Sequence, residues 1–136
     1  MKRFTVWIGA LLCAFLLCGC QQAKIPEGMT QEKLEQAAKA VLQQVHEKDY
    51  AGIWENSAEI FQKAVSAEEL EAAVEGQIGT YGAFTEYVQQ AFGGSHGKGV
   101  SGLYGTAVIT AKYENGKAVY TLSFDSEYRL VGFYVK

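Results

Sequence analysis

Beyond Cys20 the sequence has no cysteine: Cys13, Cys18 and Cys20 all fall within the first 20 of 136 residues. The folded part therefore carries no structural disulfide, no cysteine-based zinc site and no thiol nucleophile. Histidine is nearly as scarce. His46 and His96 have no ligand-spaced partner, short of the three or four convergent ligands a metal centre needs, so no metal and no cofactor are expected. Positive charge is short as well. Of 12 Lys and Arg, Lys2 and Arg3 precede Cys20, leaving 10 against 15 acidic residues, a net charge of −5. Such a surface has no general attraction to nucleic acid or anionic lipid, both polyanions. No plausible Ser-His-Asp set is apparent, so nucleophilic hydrolysis has no visible machinery.

What is present first is a leader. Met1-Lys2-Arg3 is a basic start, Phe4 to Leu17 is apolar apart from Thr5 and Gly9, and Leu17-Cys18-Gly19-Cys20 brings small residues up to a cysteine. The apolar run is short of the roughly 20 residues a bilayer core requires. The layout is that of a secretory signal peptide. It resembles the bacterial lipoprotein signal, in which Leu, a small residue and Gly or Ala precede a lipidated Cys; Cys18 departs from the usual Ala or Ser. The resemblance implies cleavage after residue 19, lipid (diacylglyceryl and N-acyl, palmitate-like chains) on Cys20, and an extracytoplasmic, membrane-anchored protein. Residues 20–29, with the chain's single proline at Pro26, read as a short tether, and 30–136 as the domain.

Thr30 can cap a helix to about Lys48 with Leu34, Ala37, Ala38, Val41, Leu42 and Val45 on one face. Tyr50, Ile53 and Trp54 begin a second helical region, extended by Ile60, Phe61, Ala64 and Val65 after an interruption near Asn56-Ser57. Ser66-Ala67-Glu68-Glu69 is a capping box opening a third helix, whose inner side holds Leu70, Ala73, Val74, Gln77, Ile78 and Tyr81; Gly79 and Gly82 mark its end. Residues 83–92 read as a strand of ambiguous alternation, and 93–105, with six glycines, as a loop or bulged connection.

Asn115-Gly116 is a strong hairpin signal. Taken as the turn, it pairs Tyr113 with Ala118, Ala111 with Tyr120, Ile109 with Leu122 and Ala107 with Phe124 on one apolar face. A second turn over Asp125 to Arg129 leads to a strand from Leu130 to Val135. Three helices followed by a curved antiparallel sheet of about four strands, apolar on one face, give an α+β fold with the helices on that face.

Lys48-Asp49-Tyr50 ending the first helix, with Trp54 soon after, resembles the start of nuclear transport factor 2-like domains, whose sheet curls into a cone around a pocket. Gly79-Thr80-Tyr81-Gly82-Ala83-Phe84, Tyr120-Thr121-Leu122-Ser123-Phe124-Asp125 and Leu130-Val131-Gly132-Phe133-Tyr134 resemble an uncharacterised domain of Gram-positive bacteria. That domain occurs in small lipoproteins and ahead of some secreted α/β-hydrolases, and has nuclear transport factor 2-like (cystatin-like) character. The likeness covers about 30–136 and implies no catalytic residues.

Gly97-Lys98-Gly99-Val100-Ser101-Gly102 matches the dinucleotide fingerprint by letter, but a strand follows it where the motif needs a helix. Glu68, Glu71 and Glu75 read as a solvated helix face. His46 reads as a helix-surface or helix-end residue. Asp49 is the nearest carboxylate to a cone, but its helix-corner position argues for capping. Trp54, Tyr81, Tyr113, Tyr120, Phe124 and Phe133 are the candidate pocket lining; aromatics at strand spacing ordinarily fill a core, yet in a cone part of that core opens to a ligand. The expected function is a non-enzymatic binding or interaction module at the cell surface, with a small ligand or a protein as partner. The alternatives are a pocket enzyme of ketosteroid-isomerase type and an auxiliary module modulating a partner enzyme.

Overall fold

The computed structural model describes residues 24–96 and 103–136; the leader, Cys20 and the Gly97 to Gly102 fingerprint lie outside the described residues. The Thr30 hydroxyl accepts the Lys33 N–H and starts α1 (Gln31–His46), whose buried stripe is Leu34, Ala38, Val41, Leu42 and Val45. Then come α2 (Tyr50–Glu55), α3 (Glu59–Ala64) and α4 (Ala67–Ile78).

Among the described residues four helices thus stand where the apolar spacing indicates three. The break between α2 and α3 is tertiary in origin: the Ala58 N–H is taken by the Leu130 carbonyl, 2.9 Å away on the last strand. The Ser57 hydroxyl and the Gln62 amide meanwhile both bond the Trp54 carbonyl. The capping box at Ser66 and Glu69 forms as its spacing requires. Along α4, however, only Leu70 and Val74 are buried and Ile78 is half-buried, while Ala73 and Gln77 are exposed.

β1 (Phe84–His96), β2 (Leu103–Tyr113), β3 (Gly116–Phe124) and β4 (Leu130–Val135) form one antiparallel sheet in chain order. Register shifts between Phe84 and Glu86 and between Tyr87 and Gln89 account for the unclear alternation of β1. The glycine-rich stretch differs from expectation, since Gly93 to His96 and Leu103 to Gly105 continue the strands. Gly94 and Gly105 pair with each other. A side chain at Gly94 would strike the Lys24 carbonyl, and one at Gly105 would come within 2.7 Å of Met29 Cε. These glycines sit where another segment crosses the sheet closely.

The hairpin register also differs. Tyr113 pairs with Gly116, Ala111 with Ala118 and Ile109 with Tyr120, a two-residue slip that makes Glu114 and Asn115 the turn. Glu114 and Asn115 donate their N–H groups to the Ala83 and Tyr81 carbonyls, so the turn is held from outside. A side chain at Gly116 would lie 2.8 Å from the Tyr81 ring. An even slip leaves every residue on its own face. Ala107, Ile109, Ala111, Tyr113, Ala118, Tyr120, Leu122 and Phe124 are all buried as read.

The chain packs on the domain before Thr30. Met29 is buried, Ile25 lies against the core, and the Met29 N–H donates to the Pro26 carbonyl. Among the described residues no helix is long and apolar enough to cross a membrane.

Candidate functional site

α1 ends in a Schellman turn. The Lys48 N–H reaches the Val45 carbonyl at 3.0 Å and the Asp49 N–H reaches Gln44 at 2.8 Å, with Lys48 itself at φ 59°. A lysine thus occupies a position that favours glycine. Asp49 caps α2 through the Gly52 N–H, as its corner position indicates. The turn aims Tyr50 inward, where its hydroxyl donates to Glu75 Oε1 at 2.8 Å, and Lys48 Nζ approaches the same oxygen at 3.6 Å. Glu75 therefore belongs to a side-chain network on α4 rather than to a purely solvated face.

Between this corner, the end of α4 and the start of β1 opens a cleft of about 430 Å³. Its polar wall is His46, Lys48, Tyr50, Glu75 and Tyr113, and Val45, Ile78 and Phe84 supply apolar surface. The volume lies in the range of small-molecule sites. His46, half-buried at the end of α1, stacks on Phe84 at 4.2 Å with 17° between the rings. Its Nε2 lies 2.9 Å from the Tyr113 hydroxyl, which lies 2.6 Å from the Tyr120 hydroxyl.

Proton placement in this chain follows from counting. Burial raises the pKa of both phenols, so both keep their protons. Tyr120 is fully buried and Tyr113 is its one hydrogen-bond partner among the described residues. Tyr120 must then donate to Tyr113, and Tyr113 to His46 Nε2; the reverse order would leave the Tyr120 proton with no acceptor. His46 accordingly carries its proton on Nδ1, an assignment made from the network. Nδ1 has no protein partner among the described residues and is not a buried unsatisfied atom, so it remains available as a donor.

Burial also holds the His46 imidazole below its ordinary pKa of 6.5. As pH falls through 6.5 the unfolded chain binds the proton first, so stability drops until the lowered folded value is passed. Urea midpoints should therefore fall as the pH is lowered below 6.5. His46→Gln, whose amide oxygen can still accept from Tyr113, should flatten that slope. An unchanged slope in the variant would remove His46 as the cause.

Of the six aromatics read as candidate lining, Tyr113 alone borders this cleft. Tyr120 and Phe124 are fully buried core. Trp54 donates from Nε1 to the Val65 carbonyl among the helices. Tyr81 covers Gly116, its ring 6.0 Å from that of Tyr113. Phe133 stands edge-on to Tyr120 and lines a second groove of about 230 Å³ with Phe61, Val65, Leu70 and Tyr134. Sequence reasoning missed His46, Tyr50, Glu75 and Phe84 as cleft residues. The Lys48-Asp49-Tyr50 corner was the available signal, because a Schellman turn brings both flanking side chains to the helix end.

The fold and site define a small α+β domain with helices over one face of an open antiparallel sheet and a mixed polar and aromatic cleft at one end. The chain belongs to the DUF3887 family, described as a protein of unknown function, whose model matches residues 38–133 and so includes every cleft residue. It is similar to a protein from Ruminococcus gnavus ATCC 29149 solved by NMR, with 25% identity and a TM-score of 0.71 over 83% of this chain and 96% of that one. A search of curated proteins gives no match.

Proposed function

We propose that this protein is a bacterial lipoprotein held on the outer side of the cell membrane by lipid on Cys20, with a non-enzymatic DUF3887 domain that binds a small ligand or partner group in the cleft. The leader pattern supports the anchor. Helices over one face of a four-stranded antiparallel sheet support a nuclear transport factor 2-like relationship. The carrying observation for binding is that the hydroxyl and carboxylate groups at the cleft are tied to one another, Tyr50 to Glu75 and Tyr120 through Tyr113 to His46. Satisfied, mutually oriented groups make a preorganised recognition surface.

Cys20→Ser should move the protein from the membrane fraction to the soluble fraction. In a fragment screen read by amide chemical shifts, responses should gather at His46, Phe84 and Tyr113 and disappear in Phe84→Ala. Hits spread evenly over the surface would count against a binding cleft, and a Cys20→Ser protein still in the membrane fraction would count against the lipid.

Glu75 on the cleft wall favours a second reading, an enzyme of ketosteroid-isomerase type with this carboxylate as base. Deuterium exchange at the α-carbon of a cyclic ketone, lost in Glu75→Gln, would favour it; equal exchange in both proteins would dismiss it.

A further inference from the structure

The tether and the cleft occupy opposite ends of the domain. Lys24 and Pro26 cross the sheet at Gly94, and Met29 and Leu34 close over Gly105 beside it. His46, Phe84 and Tyr113 mark the other end. α1 connects the two, and its 16 residues span about 24 Å. β1 gives the same direction, running from Phe84 at the cleft to Gly94 at the crossing segment.

Chain geometry then sets how the anchor holds this body. The four residue steps from Cys20 to Lys24 reach at most about 14 Å, so the Gly94 end cannot leave the bilayer surface by more than that. Charge disfavours tipping over. The chain beyond the leader carries 10 basic against 15 acidic residues, and an anionic leaflet repels such a body.

We propose that the cleft is presented at the pole farthest from the membrane and takes a water-borne ligand rather than a membrane lipid. This rests on the lipid-anchor reading and specifies the partner of the same site. The ligand would place a hydrogen-bond acceptor against His46 Nδ1–H and an apolar part on Phe84 and Ile78.

The mature chain offers a clean test, because Cys20 carries the lipid and no other cysteine follows it. Glu27→Cys and Glu47→Cys, both exposed positions, place a single thiol at the tether end and beside His46. Each full lipoprotein, labelled with a maleimide fluorophore, is reconstituted into phosphatidylcholine vesicles containing phosphatidylglycerol and nitroxide-labelled lipid. The position-27 label should be quenched several-fold and the position-47 label should stay as bright as in vesicles without nitroxide. Equal quenching at both positions in protein that floats with the vesicles would overturn the distal cleft while leaving the anchor intact. Protein that fails to float would overturn the anchor reading and this inference with it.

Discussion

Tyr113→Phe is expected to destabilise the domain by about 2 kcal/mol, since it leaves one buried hydroxyl without an acceptor. The hydroxyl is that of Tyr120, fully buried and bonded to Tyr113 alone among the described residues. Removing Tyr120's own hydroxyl instead has a smaller effect. Tyr113 then still donates to His46 Nε2 and loses a proton it accepted, and a second unused lone pair is tolerated better than an orphaned donor. Tyr120→Phe should therefore cost roughly 1 kcal/mol or less in the natural background. In the Tyr113→Phe background it should be stabilising, because it deletes the group that the first substitution stranded. Urea unfolding of the four proteins, with unchanged slopes, gives the coupling directly. If Tyr120→Phe destabilises both backgrounds equally, the two phenols do not depend on each other and the proton order assigned to His46 loses its basis.

The same chain of residues shows what was legible in the sequence. Alternation along β2 and β3 put Tyr113 and Tyr120 on the inner face, and both are there. Alternation reports the face and not the partner, so a two-residue register error left the face assignments untouched. The partner was decided by Tyr81 lying on Gly116 and by Glu114 and Asn115 bonding back to the α4–β1 connection, contacts more than thirty residues apart in sequence. Capping at Thr30, Asp49 and Ser66 was readable because each cap closes within three residues.

The cleft was hidden for a related reason. Glu75 on an otherwise charged helix has the sequence signature of a solvent face, and only the turn at Lys48 brings Tyr50 to it across 25 positions. The aromatic spacing pointed to a pocket inside a cone, yet Tyr120, Phe124, Ile109 and Leu122 are packed as core and the open space lies at one end of the domain. Periodicity distinguishes inside from outside but does not tell a filled core from an open one.

Glycine gives the last and most consequential case. A run with six glycines between 93 and 105 has the composition of a loop, whereas Gly94 and Gly105 are strand positions kept bare for the segment that crosses them. Gly94→Val should expel that segment, because the atom it would strike is the Lys24 backbone carbonyl, which cannot rotate aside as a side chain does. Losing the buried Met29 side chain costs about 2 kcal/mol, with the loosened Ile25 adding to it. The variant should unfold at lower urea and become open to a lysine-specific protease at Lys24. In the lipid-anchored form proposed above the effect should be larger still. With residues 24–29 released, the leash from Cys20 lengthens to ten residue steps and its reach to roughly 35 Å. The domain could then turn its cleft toward the bilayer. The contrast in quenching between positions 27 and 47 should shrink in Gly94→Val vesicles while flotation is unaffected. A variant that unfolds with the natural protein and keeps the bond after Lys24 protected would mean that the segment is held by something other than the bare surface of Gly94.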